Sequence, residues 1–333
     1  MATIKQIAEK TGYSLSTVSI VLRGSSAERG IPELTQKKIF DAARELDYQP
    51  NISARRLRSD EPLKRSVAVF WAFDFRAALV AQFLKGAQRF ILENALDVEI
   101  VVRPYQPDRL AEVATQTTLN MYSGAIVCTA SQTDLAHIEG VSTTCPIVLY
   151  NRNLEKYTCV GVDNVVVGKK AAIKLLDNGC RHALAIADHA ELDYTKARLR
   201  GFLEMMARAG VPAQIMKVQE NTVAQGIACA KSLQMIHEHT GIFTCSDNIA
   251  LGLLRRLIDE GRRVPEEIEV ISVGTSDPDL YNCLRPGLSV IEIPIEEMAY
   301  RCVGALKELW VNRSLKVANI VVPFAYRPGR STR

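Results

Sequence analysis

The sequence has little of what marks membrane, secreted or metal-dependent proteins. Its 333 residues contain no apolar run near the roughly 20 residues that a membrane span needs. Lysine and glutamate interrupt the first twenty residues, where a secretory signal would have an unbroken apolar segment. The eight cysteines form no C-x-x-C pair, and His237 and His239 would face different sides of a helix. We therefore expect a cytoplasmic protein with reduced, buried thiols, no metal and no cofactor.

Motifs of several enzyme classes are also missing. The chain has no G-x-S-x-G nucleophile elbow, no G-x-x-x-x-G-K-[ST] phosphate loop and no paired cysteine and histidine motif. The segment "DHAELD" at 188–193 places carboxylates beside His189, but a solvated loop explains it equally well. We expect a protein without enzymatic activity, and turnover of a bound ligand would overturn that expectation.

What the chain does have is an uneven distribution of charge. The first 65 residues carry twelve lysines and arginines against eight acidic residues, whereas the remainder carries 29 of each. Its length and 47% apolar content suit two or three domains. Because basic side chains near phosphates supply sequence-independent affinity, the asymmetry predicts a small nucleic-acid-binding module joined to a larger neutral one.

Three short amphipathic helices are predicted in the basic N-terminal part. Thr3 is placed to cap the first, Gly12 can adopt the positive φ that ends it, and Ser14 is placed to cap the second. The third is "LTQKKIFDAAREL". Two helices joined by a tight turn and followed by a third predict a helix-turn-helix module. The pattern alone fits a helical bundle with a polar face equally well.

Residues 3–24, "TIKQIAEKTGYSLSTVSIVLRG", and the later "LDYQPNISARRL" resemble the DNA-binding head and hinge of the lactose-repressor (LacI/GalR) family of bacterial transcription regulators. The I-A at residues 7–8, the S-x-x-T-V-S at 14–19 and the Y-x-P-N at 48–51 occur in the family's order. The chain departs from the family in a longer loop, "GSSAERG", and in Ile20, where a polar or basic residue is usual.

The resemblance implies DNA contacts for individual residues of this head. It implies phosphate contacts for Thr3, Ser14, Thr17, Ser19, Arg23, Thr35 and Asn51, and contacts to base edges for Leu15, Ser16 and Ile20. Leu15 and Ile20 can touch thymine methyl groups, but they cannot make the bidentate contact that arginine makes with guanine. We therefore expect an operator that differs from those of better-known members.

The segment "NISARRLRSDEPLKR" follows the head. Its basic residues alone would indicate a solvated linker. The resemblance instead implies a short helix that forms on the operator, with the two copies of a dimer side by side in the minor groove. Leu57 is implied to wedge into the central base step, and Ala54 to let the two helices approach.

From residue 66 onward, apolar strand candidates alternate with helical patterns, which predicts two doubly wound lobes with parallel sheets. The landmarks "VGVDN", "RLRGF" and "TCSDNIALG" resemble the periplasmic-binding-protein-like core of the same family. The expected domains are a helix-turn-helix domain at 1–50, a hinge helix and linker at 51–65, and an effector-binding and dimerisation domain at 66–333, with lobe 1 at about 66–162 and 295–322 and lobe 2 at about 163–294 and 323–333.

Ligands of such folds bind between the lobes, at the carboxyl ends of the strands. Strand ends predict Trp71, Phe73, Asn151, Arg152, Asp247 and Ser276 as effector-binding residues, and the resemblance adds Tyr194 and Arg198. Asn151 and Ser276 lie where sugar-binding members commonly have aspartate, so a sugar, an anion and a nucleobase-like ligand all remain open. For each aromatic residue, packing in the core is the better single explanation.

These features together predict a homodimeric repressor of transcription that binds a pseudo-palindromic operator in double-stranded DNA, in the bacterial cytoplasm at the nucleoid. A small-molecule effector, a sugar or related metabolite, is expected to control its operator affinity. The alternative is a carrier or sensor of the sugar-binding type in which the head serves only for assembly. No heptad pattern follows Arg327, so we expect a dimer and not a tetramer.

Overall fold

A computed structural model describes residues 4–22, 30–46, 64–189, 192–233, 239–276, 278–312 and 317–333. The chain divides into two compact units, Met1–Leu63 and Lys64–Arg333. The finer boundaries at residues 50 and 65 stay predictions, because residues 47–63 lie outside the described part. Among the helices that are described, none is long and apolar enough to cross a membrane.

The first unit contains three helices: α1 (Ile4–Thr11), α2 (Leu15–Leu22) and α3 (Glu33–Glu45). Gly12 ends α1 at φ +75°, and the backbone N–H of Thr17 donates to the Ser14 hydroxyl at 3.0 Å. Gly12 therefore ends the first helix and Ser14 caps the second, as predicted. The helices bury a common apolar core made of Ile7, Ala8, Val18, Val21, Ile39, Ala42 and Ala43.

The second unit contains two sheets. Its described strands are β1 (Arg65–Ala72), β2 (Val98–Tyr105), β3 (Gly124–Cys128), β4 (Ile147–Tyr150), β5 (Thr158–Gly161), β6 (His182–Asp188), β7 (Ala213–Val218), β8 (Thr240–Thr244), β9 (Ile268–Gly274), β10 (Ser289–Glu292), β11 (Asn319–Val321) and β12 (Ala325–Arg327). One sheet has the order β11-β5-β4-β3-β1-β2 and is parallel throughout. The other has the order β12-β10-β9-β8-β6-β7, in which only β12 runs antiparallel to its neighbour.

Helices connect and cover these strands, as the predicted fold class requires. They are α4 (Val80–Glu93), α5 (Leu110–Val113), α6 (Gln116–Leu119), α7 (Gln132–Gly140), α8 (Asn164–Asp177), α9 (Asp193–Arg208), α10 (Val223–Ala230), α11 (Asp247–Asp259), α12 (Pro278–Asn282) and α13 (Ile295–Val311). The chain passes between the sheets three times, after β5, β10 and β11. The carboxyl ends of the parallel strands of both lobes are thereby brought to one crevice.

Some elements differ from the sequence-based expectation. The helical pattern of the sequence predicts one helix from Asp108 to Tyr122, but the structure has the pair α5 and α6, because Asp108 has a φ of +66° and Thr115 caps a new start. The sequence pattern does not predict helices α7, α10 and α12 or strands β5, β7, β11 and β12. Cys283 is exposed, whereas the other seven free cysteines are buried as expected.

Glycines set the spacing of the helix pairs that flank the sheets. A Cβ atom on Gly168 of α8 would lie 1.9 Å from the carbonyl oxygen of Arg198 on α9, and one on Gly201 would lie 2.0 Å from that of Val165. Gly86 between α4 and α13, and Gly252 between α10 and α11, are equally close to backbone atoms. Backbone cannot move aside as a flexible side chain can, so these helices pack only with glycine at the contacts.

We expect Gly168→Ala to lower the free energy of unfolding by about 1–3 kcal/mol, because the added methyl group forces α8 and α9 apart. Thermal and denaturant unfolding measure this change. Gly140→Ala is the matched control, since its Cβ would meet no atom within 4 Å, and its effect should stay below about 1 kcal/mol. Equal stability of the two variants would contradict the packing argument.

Candidate functional site

A cleft lies between the two lobes of the second unit. Side chains of both lobes line it, at or just beyond the ends of the parallel strands, and they include Trp71, Arg76, Thr129, Asn151, Arg152, Asp188, Tyr194, Arg198, Asn221, Ser246 and Thr275. Thr129 and Asn151, which directly follow β3 and β4, have positive φ values of 58° and 51°. Such backbone conformations are uncommon for residues other than glycine and concentrate at functional sites.

Three buried arginines converge on this cleft. Arg76, Arg152 and Arg198 are 7%, 8% and 3% exposed, respectively. Burying a guanidinium group is unfavourable unless hydrogen bonds and opposite charge compensate for the lost water. The partners of each arginine therefore indicate what the cleft can bind.

Arg198 lies on α9 and joins three segments of the chain. Its Nε donates to Oδ1 of Asn164 at 2.9 Å, and Nη1 donates to the carbonyl oxygen of Cys245 at 3.2 Å. The Asn164 amide in turn donates to Oδ1 of Asn151 in the other lobe at 3.3 Å. Burial lowers the pKa of Arg198, and the nearby Asp188 and Asp247 carboxylates partly offset that effect.

Arg152 enters the cleft from the first lobe. Its Nη1 donates to the carbonyl oxygen of Asn151 at 2.7 Å, and its Nε donates to that of Ala130. The ring of Tyr194 faces this guanidinium at 5.1 Å and that of Arg198 at 4.9 Å, so one aromatic ring contacts cations from both lobes. Burial lowers the pKa of Arg152, and the positive charge of Arg76 lowers it further.

Arg76 is the functional candidate that the sequence-based prediction missed. It lies in a 3-10 helix at Phe75–Leu79, and its guanidinium is paired with the carboxylate of Asp74. Burial lowers the pKa of Arg76, but the hydrogen bond and charge of Asp74 together with the nearby Tyr194 and Tyr105 raise it overall. Arg76 lies three residues after Phe73, so a prediction that took in more residues after β1 would have included it.

The two aromatic residues predicted after β1 do not stack over the cleft. Trp71 is buried among Phe83 and Tyr150, and its Nε1 donates to the carbonyl oxygen of Arg76 at 3.2 Å. Phe73, which lies beyond the end of β1 at Ala72, is 64% exposed and is not among the residues lining the cleft. Trp71 thus forms part of the cleft wall and holds the Arg76 backbone.

Asp247 and Ser276 were also expected in the ligand site, but neither lines the cleft. Oδ2 of the buried Asp247 accepts hydrogen bonds from the backbone N–H groups of Thr275 and Ser276, both at 2.8 Å, and from the Tyr281 hydroxyl at 2.7 Å. These three hydrogen bonds occupy Oδ2 of the Asp247 carboxylate. Asp247 therefore fixes the loop after β9, and the geometry leaves Thr275 as the part of that loop that reaches the cleft.

Direct hydrogen bonds also close the cleft. Gln82 of the first lobe donates to the carbonyl oxygen of Thr275 in the second at 2.9 Å, and Gln132 donates to the carboxylate of Asp193. Both pairs join segments that carry cleft residues. These hydrogen bonds therefore join the two lobes around the cleft.

In the first unit, α2 presents small and apolar side chains outward. Leu15 is 53% exposed, Ser14 and Ser16 are exposed, and Thr17, Ser19 and Ile20 are partly exposed, as is Thr35 on α3. The Ser14 hydroxyl also contacts the hydroxyl groups of Ser16 and Thr17 at 2.7 and 2.8 Å. Of the other predicted DNA contacts, Thr3, Arg23, Asn51, Ala54 and Leu57 lie outside the described residues.

Comparison with known families decides the class of the protein. Residues 3–51 match the model of bacterial regulatory proteins of the lacI family, and residues 172–332 match the periplasmic binding protein-like domain. The chain carries a LacI-family DNA-binding domain followed by a periplasmic binding protein-like domain. Its predicted class, a DNA-binding regulator of transcription, is confirmed, and so is its two-part fold.

Individual relatives match nearly end to end. The probable HTH-type transcriptional repressor ExuR of Bacillus subtilis is 27% identical over 93% of this chain and 91% of its own length. The structure of a LacI family transcription regulator from Clostridium acetobutylicum covers 80% of the chain and 100% of its own at 28% identity, with a TM-score of 0.74. The lac repressor dimer bound to operator and the anti-inducer ONPF covers 99% of each chain at 18% identity, with a TM-score of 0.72.

We expect Asp247→Ala to destabilise this LacI-family protein by about 3 kcal/mol or more, because three donors lose their charged acceptor. Asp259→Ala on the same helix is the control: that carboxylate pairs only with exposed Arg255 among the contacts described, and its loss should cost about 0.5 kcal/mol. Thermal unfolding compares the two. If Asp247→Ala kept full stability but lost ligand binding, Asp247 would be a ligand residue after all.

Proposed function

We propose that the protein is a homodimeric repressor whose affinity for a pseudo-palindromic operator is controlled by a small metabolite bound in the cleft. The observation that carries the proposal is the cleft itself. It brings buried cationic groups of both lobes to one place, and hydrogen bonds such as that of Gln82 with Thr275 join the lobes around it. A ligand that bridges these groups changes the relative stability of the lobe arrangements.

The proposed operator contacts follow from the surface of α2. Its N-terminus and the hydroxyls of Ser14, Thr17 and Ser19 suit phosphate oxygens, with Thr3, Arg23, Thr35 and Asn51 as further phosphate contacts. Leu15, Ser16 and Ile20 then face the base edges of the major groove. Leu57 and Ala54 in the 51–65 hinge are proposed to enter the minor groove, where an inserted apolar residue unstacks a base step.

The proposed control by the ligand is a population shift. The hydrogen-bonded series from Arg198 through Asn164 to Asn151 spans both lobes, so a ligand held by Arg198 bears on both sides of the cleft. A ligand shifts the equilibrium only by its difference in affinity for the two arrangements. Contacts to side chains of both lobes, such as Arg152 and Tyr194, supply that difference.

The proposed homodimer matches the symmetry of a two-fold operator, and the related lac repressor is a dimer on its operator. A repressor of this kind acts on chromosomal DNA, in the cytoplasm at the nucleoid. Light scattering on the free protein should give the mass of two chains. A stable tetramer without DNA would contradict the proposed assembly.

We expect the head substitutions Leu15→Ala and Thr17→Ala to separate base contacts from phosphate contacts. Leu15→Ala should weaken binding to the selected operator about tenfold and leave random DNA binding unchanged, because a methyl contact is base-specific. Thr17→Ala should weaken both. Gel shifts at several salt concentrations, with genomic fragments as the source of the operator, measure these affinities. If the dimer shows no salt-sensitive DNA binding, the sensor without operator function becomes the better explanation.

We expect Arg198→Ala to leave operator binding within about threefold of wild type but to remove the response to the effector, since Arg198 belongs to the cleft and not to the head. A thermal-shift screen of sugars, sugar acids, sugar phosphates and nucleobases identifies the responding compound. Arg208→Ala, an exposed arginine on the same helix, is the matched control and should keep the full response. A retained response in Arg198→Ala would place the ligand elsewhere.

A further inference from the structure

We infer that the effector is a compact oxyanion, a carboxylate or a phosphate monoester, whose anionic group binds Arg152 beside Arg76. This inference rests on the proposed function, because it names the ligand class of the same cleft. It depends on the charge of the cleft, on the hydrogen bonds of Arg152 and on the size of the enclosed space.

The charged side chains that line the cleft are predominantly positive. They are Arg76, Arg152 and Arg198 against Asp188. Other carboxylates near the cleft have partners: Asp74 pairs with Arg76, Asp247 accepts from the β9 loop, and Asp193, whose charge acts on Arg152, accepts from Gln132. A cleft with this balance favours a ligand with negative charge.

Two positions where an aspartate could accept hydrogen bonds from the hydroxyl groups of a neutral sugar have other residues in this chain. Asn151 and Ser276 stand where the resemblance places aspartates in sugar-binding members. Oδ1 of Asn151 lies against the Asn164 amide, and Ser276 is outside the cleft lining. Among the described residues that line the cleft, Asp188 is then the carboxylate acceptor, against the guanidinium donors of Arg76, Arg152 and Arg198.

Arg152 holds the most specific evidence. Its Nε and Nη1 donate to the backbone carbonyl groups of Ala130 and Asn151. Its Nη2 is buried and has no hydrogen-bond partner among the described residues. A buried charged donor without an acceptor is unfavourable, and a ligand oxygen in the cleft would supply the acceptor.

The guanidinium is also held rigidly in a direction suited to recognition. Tyr194 faces Arg152 and Arg198 at 5.1 and 4.9 Å, which limits the rotation of both planar groups. The two carbonyl bonds fix the remaining edge of Arg152. Planar guanidinium groups prepared in this way bind carboxylate and phosphate oxygens in fixed geometry.

The enclosed space sets the size of the ligand. The cavity measures about 80 Å³. On the same measure one water needs about 10–15 Å³, so the closed cleft has room for roughly five to eight non-hydrogen atoms. A short-chain hydroxy acid or a small phosphate monoester fits this limit better than a nucleoside or an oligosaccharide.

Isothermal titration of the full-length dimer tests the inference with matched compounds. The pairs are glycolate against ethylene glycol, glycerate against glycerol, and ethyl phosphate against ethanol, at constant ionic strength. At least one acid or phosphate should bind about tenfold or more tightly than its alcohol. The carboxylate and phosphate arms show which oxyanion is preferred.

Arg152→Gln should abolish that preference by lowering affinity for the anion about tenfold or more while changing affinity for the alcohol by less than about threefold. Arg152→Lys keeps the charge without the fork and should retain part of the preference, which covers the case that Arg152→Gln does not fold. Arg109→Gln removes an exposed arginine of the same lobe and should change neither affinity. Ligand-free operator binding and thermal unfolding verify that each variant is intact.

Three results would overturn the inference: tighter binding of the alcohols, an unchanged preference for anions in Arg152→Gln, or no binding of any of the acids and phosphates at millimolar concentration. The first of these, combined with release of operator by the alcohol, would leave the proposed repressor function standing. Conversely, a preference for anions without any operator binding would support the ligand class and refute the repressor function.

Discussion

The burial of guanidinium groups is the constraint on which the arrangement of the cleft depends. A buried cation is tolerated only where acceptors and aromatic faces surround it. Arg198 meets this requirement with Asn164, the Cys245 carbonyl group and Tyr194, which come from three different segments of the second lobe. The contacts of the Arg198 guanidinium group therefore fix the start of α8, the end of β8 and the first turn of α9 relative to each other.

The same helix pair is fixed a second time by backbone contact. The carbonyl oxygen of Arg198 lies where a Cβ on Gly168 would be, so α8 and α9 cannot separate or slide freely. Between the lobes, hydrogen bonds such as that of Gln82 with Thr275 join the two sides of the cleft, and one buried apolar cluster contains residues of both lobes, among them Trp71 and Val273. A ligand in the cleft selects between two lobe arrangements only through contacts that differ between them.

The limits of prediction from sequence follow from the same physics. The cores of both units were predictable because Ile7, Val18 and the apolar strands follow helix or strand periodicity. Edge strand β7 was missed because it is half-exposed and has a mixed pattern. The strand-end rule located the cleft, but it could not show that loop N–H groups consume the Asp247 carboxylate or that Arg76 turns back into the cleft. Those outcomes depend on loop geometry that no local pattern encodes.

Whether the cleft prefers a neutral or an anionic ligand depends on which hydrogen-bonding groups of the cleft and the ligand would remain without a partner. A hydroxyl group can accept from Arg152, but it must also donate its own proton, and Oδ1 of Asn151 is already shared with Asn164, which leaves Asp188 as the carboxylate acceptor in the cleft lining. A carboxylate accepts on both oxygens and has no proton to place. For the oxyanion that we infer, discrimination against a neutral compound would come mainly from the polar groups left unpaired, which is a stronger source of discrimination than a few missing apolar contacts. The buried arginines of the cleft, whose burial is unfavourable in the free protein, would then be the source of the specificity for an anionic ligand.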